Sequence, residues 1–196
     1  MAEEYVGRKF KTEFLGSKPH DESAFEEIID AGRRLYELGL APENAGNLSV
    51  RVGHGMLITV GGVSKGAMSR EDISEVVDFD FQIAKVLGVK EPSSETPMHW
   101  LVYQCYPMAK AVIHAHDPLA LASGDKLKLT IGVHSTKTQT SYGTEDQAHQ
   151  TIEALSHCQY AIIRGHGIIC MGQTIRECMD LIERIHRLLD GKGAKG

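Results

Sequence analysis

Three histidines and one glutamate are the residues of this chain best suited to chemistry: His114 and His116 in AVIHAH, His166 in IIRGHGII, and Glu95 in EPSSETP. Side chains alternate between the faces of a strand, so Val112, His114 and His116 share one face and two imidazoles can converge on one ion. The competing reading is two polar residues on an exposed strand, in a chain with ten histidines. His166 lies between two glycines, which permit a bend and the close approach of a ligand. Its plain alternative is a hairpin turn. Three histidines leave one position of a tetrahedral ion open, as in a catalytic rather than a structural zinc site.

Glu95 follows Ser93 and Ser94 at the start of a predicted helix. An acid there is favoured by the helix dipole, so simple capping would account for it. A helix N-terminus with adjacent hydroxyls is also a phosphate cradle, and a carboxylate beside one could act as a base on a phosphorylated substrate. Gly46-Asn47 in AGNLS and Gly61-Gly62 in TVGGVSK carry the same double reading: turns, or backbone donors aimed at an anion.

The elements that must position these residues follow from patterning. DESAFEEIIDAGRRLYELGL has helical spacing, with Asp21 or Ser23 as cap and Gly39 as stop. GNLSVRVGHGMLITVGG reads as a hairpin turning at Gly53-His54-Gly55, and VVDFDFQIAKVLG as further strand. Ser93 or Ser94 caps the helix that ends before Pro107, and AVIHAH is the next strand. GTEDQAHQTIEALSHC is helical, QYAIIRGHGIICMG gives two short strands around His166, and TIRECMDLIERIHRLLD closes the chain as an amphipathic helix. Its stripe of Ile175, Met179, Ile182, Ile185 and Leu189 is core or interface. Interspersed helices and strands predict a layered α/β domain with a mixed sheet.

The 196 residues fit one domain, 1–196, with 190–196 as a frayed tail. A net charge of −5 without a basic cluster argues against nucleic acid. The start lacks a secretory signal, no apolar run reaches membrane-spanning length, and the four cysteines form no CxxC pair. A cytoplasmic protein with reduced, mostly buried thiols is the expectation.

Taken together, the stretches AGNLSVRVGHGMLIT, EPSSETPMHWLVYQCYPMAKAVIHAHDP and RGHGIICMGQTIRECMDLIERIH resemble the class II aldolase/adducin family. The resemblance covers nearly the whole chain. It implies an α/β/α sandwich and one zinc per subunit, or another divalent ion, held by His114, His116 and His166. It also implies that Glu95 transfers the proton and ligates the metal when substrate is absent. Asn47, Gly62, Ser93 and Ser94 fall on positions that bind the substrate phosphate, and a homotetramer with sites at subunit interfaces is implied. The implied activity is aldol cleavage of a ketose 1-phosphate, of the L-fuculose-1-phosphate kind, to dihydroxyacetone phosphate and an aldehyde. A metal-stabilised enediolate would lie between them.

Two departures stand out. Gly61 occupies a position where the sugar-phosphate aldolases often carry threonine, with Lys65 nearby to compensate. The segment from His116 to His166 is shorter than in the aldolase, and the tyrosine the family sends into a neighbouring site has no counterpart, leaving Tyr142 and His134 as substitutes. The family's alternatives are a methylthioribulose-1-phosphate dehydratase-like or pentulose-phosphate 4-epimerase-like enzyme, or a non-catalytic adducin-like oligomerisation module. Glu95 argues against the epimerase, which should carry aspartate there, and the three histidines argue against the module. His99 falls one helical turn from Glu95 and is read as its partner, whereas His20, His54, His149, His157 and His186 read as surface or cap positions.

Overall fold

The computed structural model describes residues 7–124, 127 and 131–191. The rest of the expected tail, 192–196, and part of the segment after His116 lie outside the described residues.

Nine strands form one sheet: β1 (Lys11–Gly16), β2 (Asn47–Val52), β3 (Gly55–Thr59), β4 (Ile73–Phe79), β5 (Ile83–Leu87), β6 (Ala111–Ala115), β7 (His134–Ser135), β8 (Tyr160–Ile163) and β9 (Gly167–Gly172). Their spatial order is β1-β5-β4-β3-β2-β6-β9-β8-β7. The outermost pairs, β1 with β5 and β7 with β8, are parallel, and every pair between them is antiparallel. The sheet is therefore mixed, as the alternation of hairpins and crossovers predicts.

Strand alternation divides the core into two layers. Leu48, Leu57, Ala111, Ile113, Ile162, Ile168 and Cys170 point to one face, under α1 (Phe25–Glu37), α3 (Pro118–Ser123) and α5 (Ile175–Leu189). Ile58, Val76, Val112, Ala161 and Ile169 point to the other, under α2 (Thr96–Cys105) and α4 (Glu145–Leu155). The result is an α/β/α sandwich. In α5 the apolar stripe packs as core, with Ile175, Met179, Ile182 and Ile185 buried.

Several expectations are corrected. The strand expected over VVDFDFQIAKVLG is two strands, because the Asp80 carboxylate accepts from the amides of Gln82 and Ile83 and turns the chain. The edge strand β1 has no alternating apolar signal, since five of its six residues are exposed. Helix α1 begins at Phe25 without a side-chain cap, and Asp21 bonds the Ser23 amide instead. Only Cys170 and Cys178 are buried, while Cys105 is exposed. His186 is no free surface residue, because its Nδ1 lies 2.9 Å from the buried carboxylate of Asp117. Among the described residues, no helix is long and apolar enough to cross a membrane.

Candidate metal centre

His114 sits at the centre of the sheet, between β2 and β9, opposite Asn47 and Ile169. It shares its face with Val112, as alternation requires, and is wholly buried. Just past the end of β6, His116 places Nε2 3.1 Å from His114 Nε2. His166 occupies the turn between β8 and β9, and its ring stacks on His114 at 4.9 Å between centroids. The glycine that follows has a steric cause. A Cβ on Gly167 would collide with the Ala115 carbonyl and lie 2.9 Å from His114 Cε1 and 3.3 Å from His116 Cδ2.

Glu95 comes from the helix layer that covers this same face. It holds the N-cap position of α2, yet its side chain caps nothing. The Ser93 hydroxyl accepts from the Glu95 amide, and the Ser93 carbonyl accepts from Thr96, which leaves the carboxylate free to turn into the cavity. There Oε1 lies 2.8 Å from His166 Nε2 and Oε2 lies 3.2 Å from His114 Nε2. Capping therefore does not account for Glu95.

The donor set fits a divalent ion. His114 Nδ1–H donates to the Ile168 carbonyl at 2.8 Å, so its Nε2 presents a lone pair. That lone pair faces His116 Nε2 at 3.1 Å and a carboxylate oxygen at 3.2 Å. At most one of these contacts can share a proton, and a cation resolves the other. Tetrahedral zinc, with bonds of about 2.0–2.1 Å, holds its ligand atoms roughly 3.3 Å apart. Single donor atoms of His114, His116 and His166 all lie within 4.8 Å of one another. Burial lowers the pKa of both His114 and His116, keeping the imidazoles neutral as ligands. Burial alone would raise the Glu95 carboxyl, but the imidazoles of His114 and His166 and the Asn47 amide outweigh it and hold it well below the usual range.

A cavity of about 280 Å³ opens from this cluster. Asn47, Gly62, Ser93 and Ser94 line it together with Glu95, His116 and His166, so all four expected phosphate positions reach the same space. Gly62 has φ of +76°, a conformation that favours glycine and turns the loop there. Lys65 also lines the cavity although it is 1% exposed. Its ammonium donates to the carbonyls of Val63 at 2.7 Å and Asn44 at 3.4 Å, with no carboxylate in ion-pair range among the described residues. Burial lowers its pKa to about 8, against the opposing pull of Asp72 and Glu95. Of the two substitutes for the missing tyrosine, Tyr142 lines the cavity and His134 does not, its ring lying 5.0 Å from that of His157.

The sequence pattern does not reveal the support behind Glu95. Asn47 Nδ2 donates to Glu95 Oε2 at 2.8 Å, and Asn47 Oδ1 lies 2.6 Å from His99 Nε2. His99 Nδ1 lies 2.7 Å from Ser49 Oγ, which lies 2.8 Å from the Tyr103 hydroxyl. His99 therefore reaches Glu95 through Asn47 rather than directly, correcting the expectation above. A signal was present: Glu95, His99 and Tyr103 are spaced i, i+4, i+8 on one helix face, and Asn47 and Ser49 are spaced i, i+2 on one strand face.

Comparison with known proteins agrees with this geometry. The profile of the family described as Class II Aldolase and Adducin N-terminal domain matches residues 26–190. A methylthioribulose-1-phosphate dehydratase of Methylococcus capsulatus is 32% identical over 193 residues, covering 86% of this chain and 92% of that protein. A 5-methylthioribulose-1-phosphate/5-deoxyribulose-1-phosphate aldolase of Rhodospirillum rubrum is 29% identical, covering 83% of this chain and 77% of that protein. Among solved structures, an L-fuculose 1-phosphate aldolase superposes with a TM-score of 0.72 at 25% identity, covering 88% of this chain and 89% of that one.

Proposed function

The chain belongs to the class II aldolase and adducin N-terminal domain family, and from that premise we propose that it is a metal-dependent lyase of ketose 1-phosphates whose reaction is dehydration of a 5-methylthioribulose-1-phosphate-like substrate. One observation carries the reading: three imidazoles and a carboxylate converge beside a cavity that Gly62, Ser93, Ser94 and a buried lysine also line. Dehydration takes precedence over the aldol cleavage expected from the sequence, because relatives such as the Methylococcus protein, at 32% identity, carry the dehydratase name.

A divalent ion held by His114, His116 and His166, with Glu95 as a further ligand before substrate enters, would supply a Lewis acid that acidifies the C–H beside the substrate ketone. The protein's own groups do the rest. The loop at Gly62, the Ser93 and Ser94 hydroxyls and Lys65 bind the phosphate and so fix which carbon meets Glu95. The Asn47 amide, already bonded to Glu95, lines the same cavity. Glu95, ionised at neutral pH, takes the proton from C3. The electron pair of that C–H bond becomes the C3–C4 double bond as the C4–O bond breaks. Glu95 returns the proton to the departing hydroxyl, water leaves, and the enol at C3 tautomerises to a 2,3-diketone.

A second reading, aldol cleavage of the C3–C4 bond, is favoured by the Rhodospirillum aldolase and the superposed fuculose-phosphate aldolase. Incubating zinc-loaded protein with 5-methylthioribulose 1-phosphate in heavy water, followed by proton and phosphorus NMR, separates the two. A five-carbon diketone phosphate is the expected product. Dihydroxyacetone phosphate would replace dehydration by aldol cleavage, and its own hydroxymethyl protons should then exchange with solvent. No turnover by metal-replete protein overturns both readings. We also propose, from the resemblance in sequence, a homotetramer with sites at subunit interfaces and a cytoplasmic location, and a light-scattering mass of one chain would count against the tetramer.

A further inference from the structure

We propose that His99 is a positioning residue: with its proton on Nε2, it fixes the Asn47 amide so that the amide N–H, not its oxygen, meets Glu95. The inference rests on the proposed function only in taking Glu95 as the group the site must hold.

The assignment follows from what each group can donate. A carboxylate only accepts, so the Asn47 atom 2.8 Å from Glu95 Oε2 must be the nitrogen. Asn47 Oδ1 then faces His99 Nε2 at 2.6 Å and needs a donor, which puts the His99 proton on Nε2 and leaves Nδ1 bare. Bare Nδ1 requires the Ser49 hydroxyl, 2.7 Å away, to donate to it. With its one proton spent, Ser49 Oγ accepts from the Tyr103 hydroxyl at 2.8 Å. One charge at Glu95 thus orients four consecutive hydrogen bonds, each donor pointing toward it.

The chain is shielded from competing water, because His99 and Ser49 are fully buried and Tyr103 and Asn47 nearly so. Full burial between two neutral partners, Asn47 and Ser49, favours an uncharged His99 ring with one defined tautomer. Without the Nε2–H donor, the Asn47 amide is free to rotate. Its oxygen would then repel the carboxylate and turn Glu95 away from His114 and His166.

The first test needs no variant. Long-range proton–nitrogen NMR on wild-type protein should show the His99 proton on Nε2 and an unprotonated Nδ1. A proton on Nδ1, or on both nitrogens at pH 7, overturns the inference. The second test measures zinc affinity by competition with a chromophoric chelator. Loss of an outer-shell partner costs metal sites about 10–100-fold, so His99→Phe should weaken zinc roughly tenfold. His99→Gln, whose amide offers a donor near the Nε2 position, should restore it. A folded His99→Phe with wild-type affinity, beside a Glu95→Gln that has lost affinity, overturns the inference alone. A wild type that binds no zinc defeats the proposed metal site instead, and the tautomer still decides the role of His99. Should His99→Phe fail to fold, the tautomer decides it likewise.

Discussion

Around the imidazoles, the protein's own hydrogen bonds fix the groups that support the cluster. Glu95 is bonded by Asn47, His99 holds Asn47, and the Ile168 carbonyl fixes the His114 ring. Around Lys65 the balance is reversed. The Lys65 ammonium has two carbonyl partners and, among the described residues, no carboxylate in direct contact, and the Ser94 hydroxyl and Gly62 amide donate to nothing among the described residues. The imidazole cluster is held by bonds within the protein, so its groups need not rearrange during a reaction. The region around Lys65 holds unspent donors, which on the proposed function an anionic ligand completes. Burying a cation with only carbonyl partners in contact costs stability, so on that reading Lys65 marks where the cost is exchanged for binding.

Removing the metal, or making His114→Ala, should give the largest effect, because it disables the imidazole cluster outright. We expect bound zinc to be lost and turnover to fall on the order of a thousandfold. Elemental analysis beside the rate checks this, and full occupancy in the variant would remove His114 from the ligand set. Glu95→Gln should still load zinc at saturating metal, while turnover drops about 10²–10⁴-fold. A variant as active as wild type would end the role of Glu95 as proton carrier.

The region around Lys65 should respond differently. Lys65→Met should raise KM by about 10–100-fold with a smaller change in kcat, as expected when one charged hydrogen bond to bound substrate is lost. The same variant should be more stable at pH 7, by about 1–3 kcal/mol, because the buried charge is gone. The sign follows from linkage: a folded pKa of about 8 against 10.5 means that the wild-type penalty is full below pH 8 and fades as pH rises to 10.5. Melting curves at pH 7 and pH 10 should therefore converge, and a variant destabilised at pH 7 would assign Lys65 to structure instead. Ser94→Ala should be the smallest perturbation, raising KM about 2–10-fold. An unchanged KM would place the phosphate elsewhere and dissolve the contrast between the two regions.

Much of the imidazole cluster was legible in the chain itself. Alternation along β6 sets His114 on one face with Val112, and two glycines frame His166 at a strand turn. Such patterns are local: period two, period 3.6 and the backbone freedom of glycine are fixed by neighbouring residues, whatever the rest of the molecule does. The layered α/β class with a mixed sheet follows from the same patterns, as does the apolar stripe of α5, whereas the α/β/α sandwich was implied by the family resemblance. The edge strand β1 escaped because an exposed strand has no apolar alternation to betray it.

Only the tertiary structure decided the rest. Lys65 reads in the chain as a residue near Gly61 that could compensate for it, but its burial arises only where its turn packs against Gly32 of α1. His99 reads as a partner of Glu95, four residues away, but its partners are Asn47 and Ser49, 52 and 50 residues away. Hydrogen-bond direction and the cost of a buried charge depend on which atoms the fold brings within 3 Å, and no local spacing contains that information.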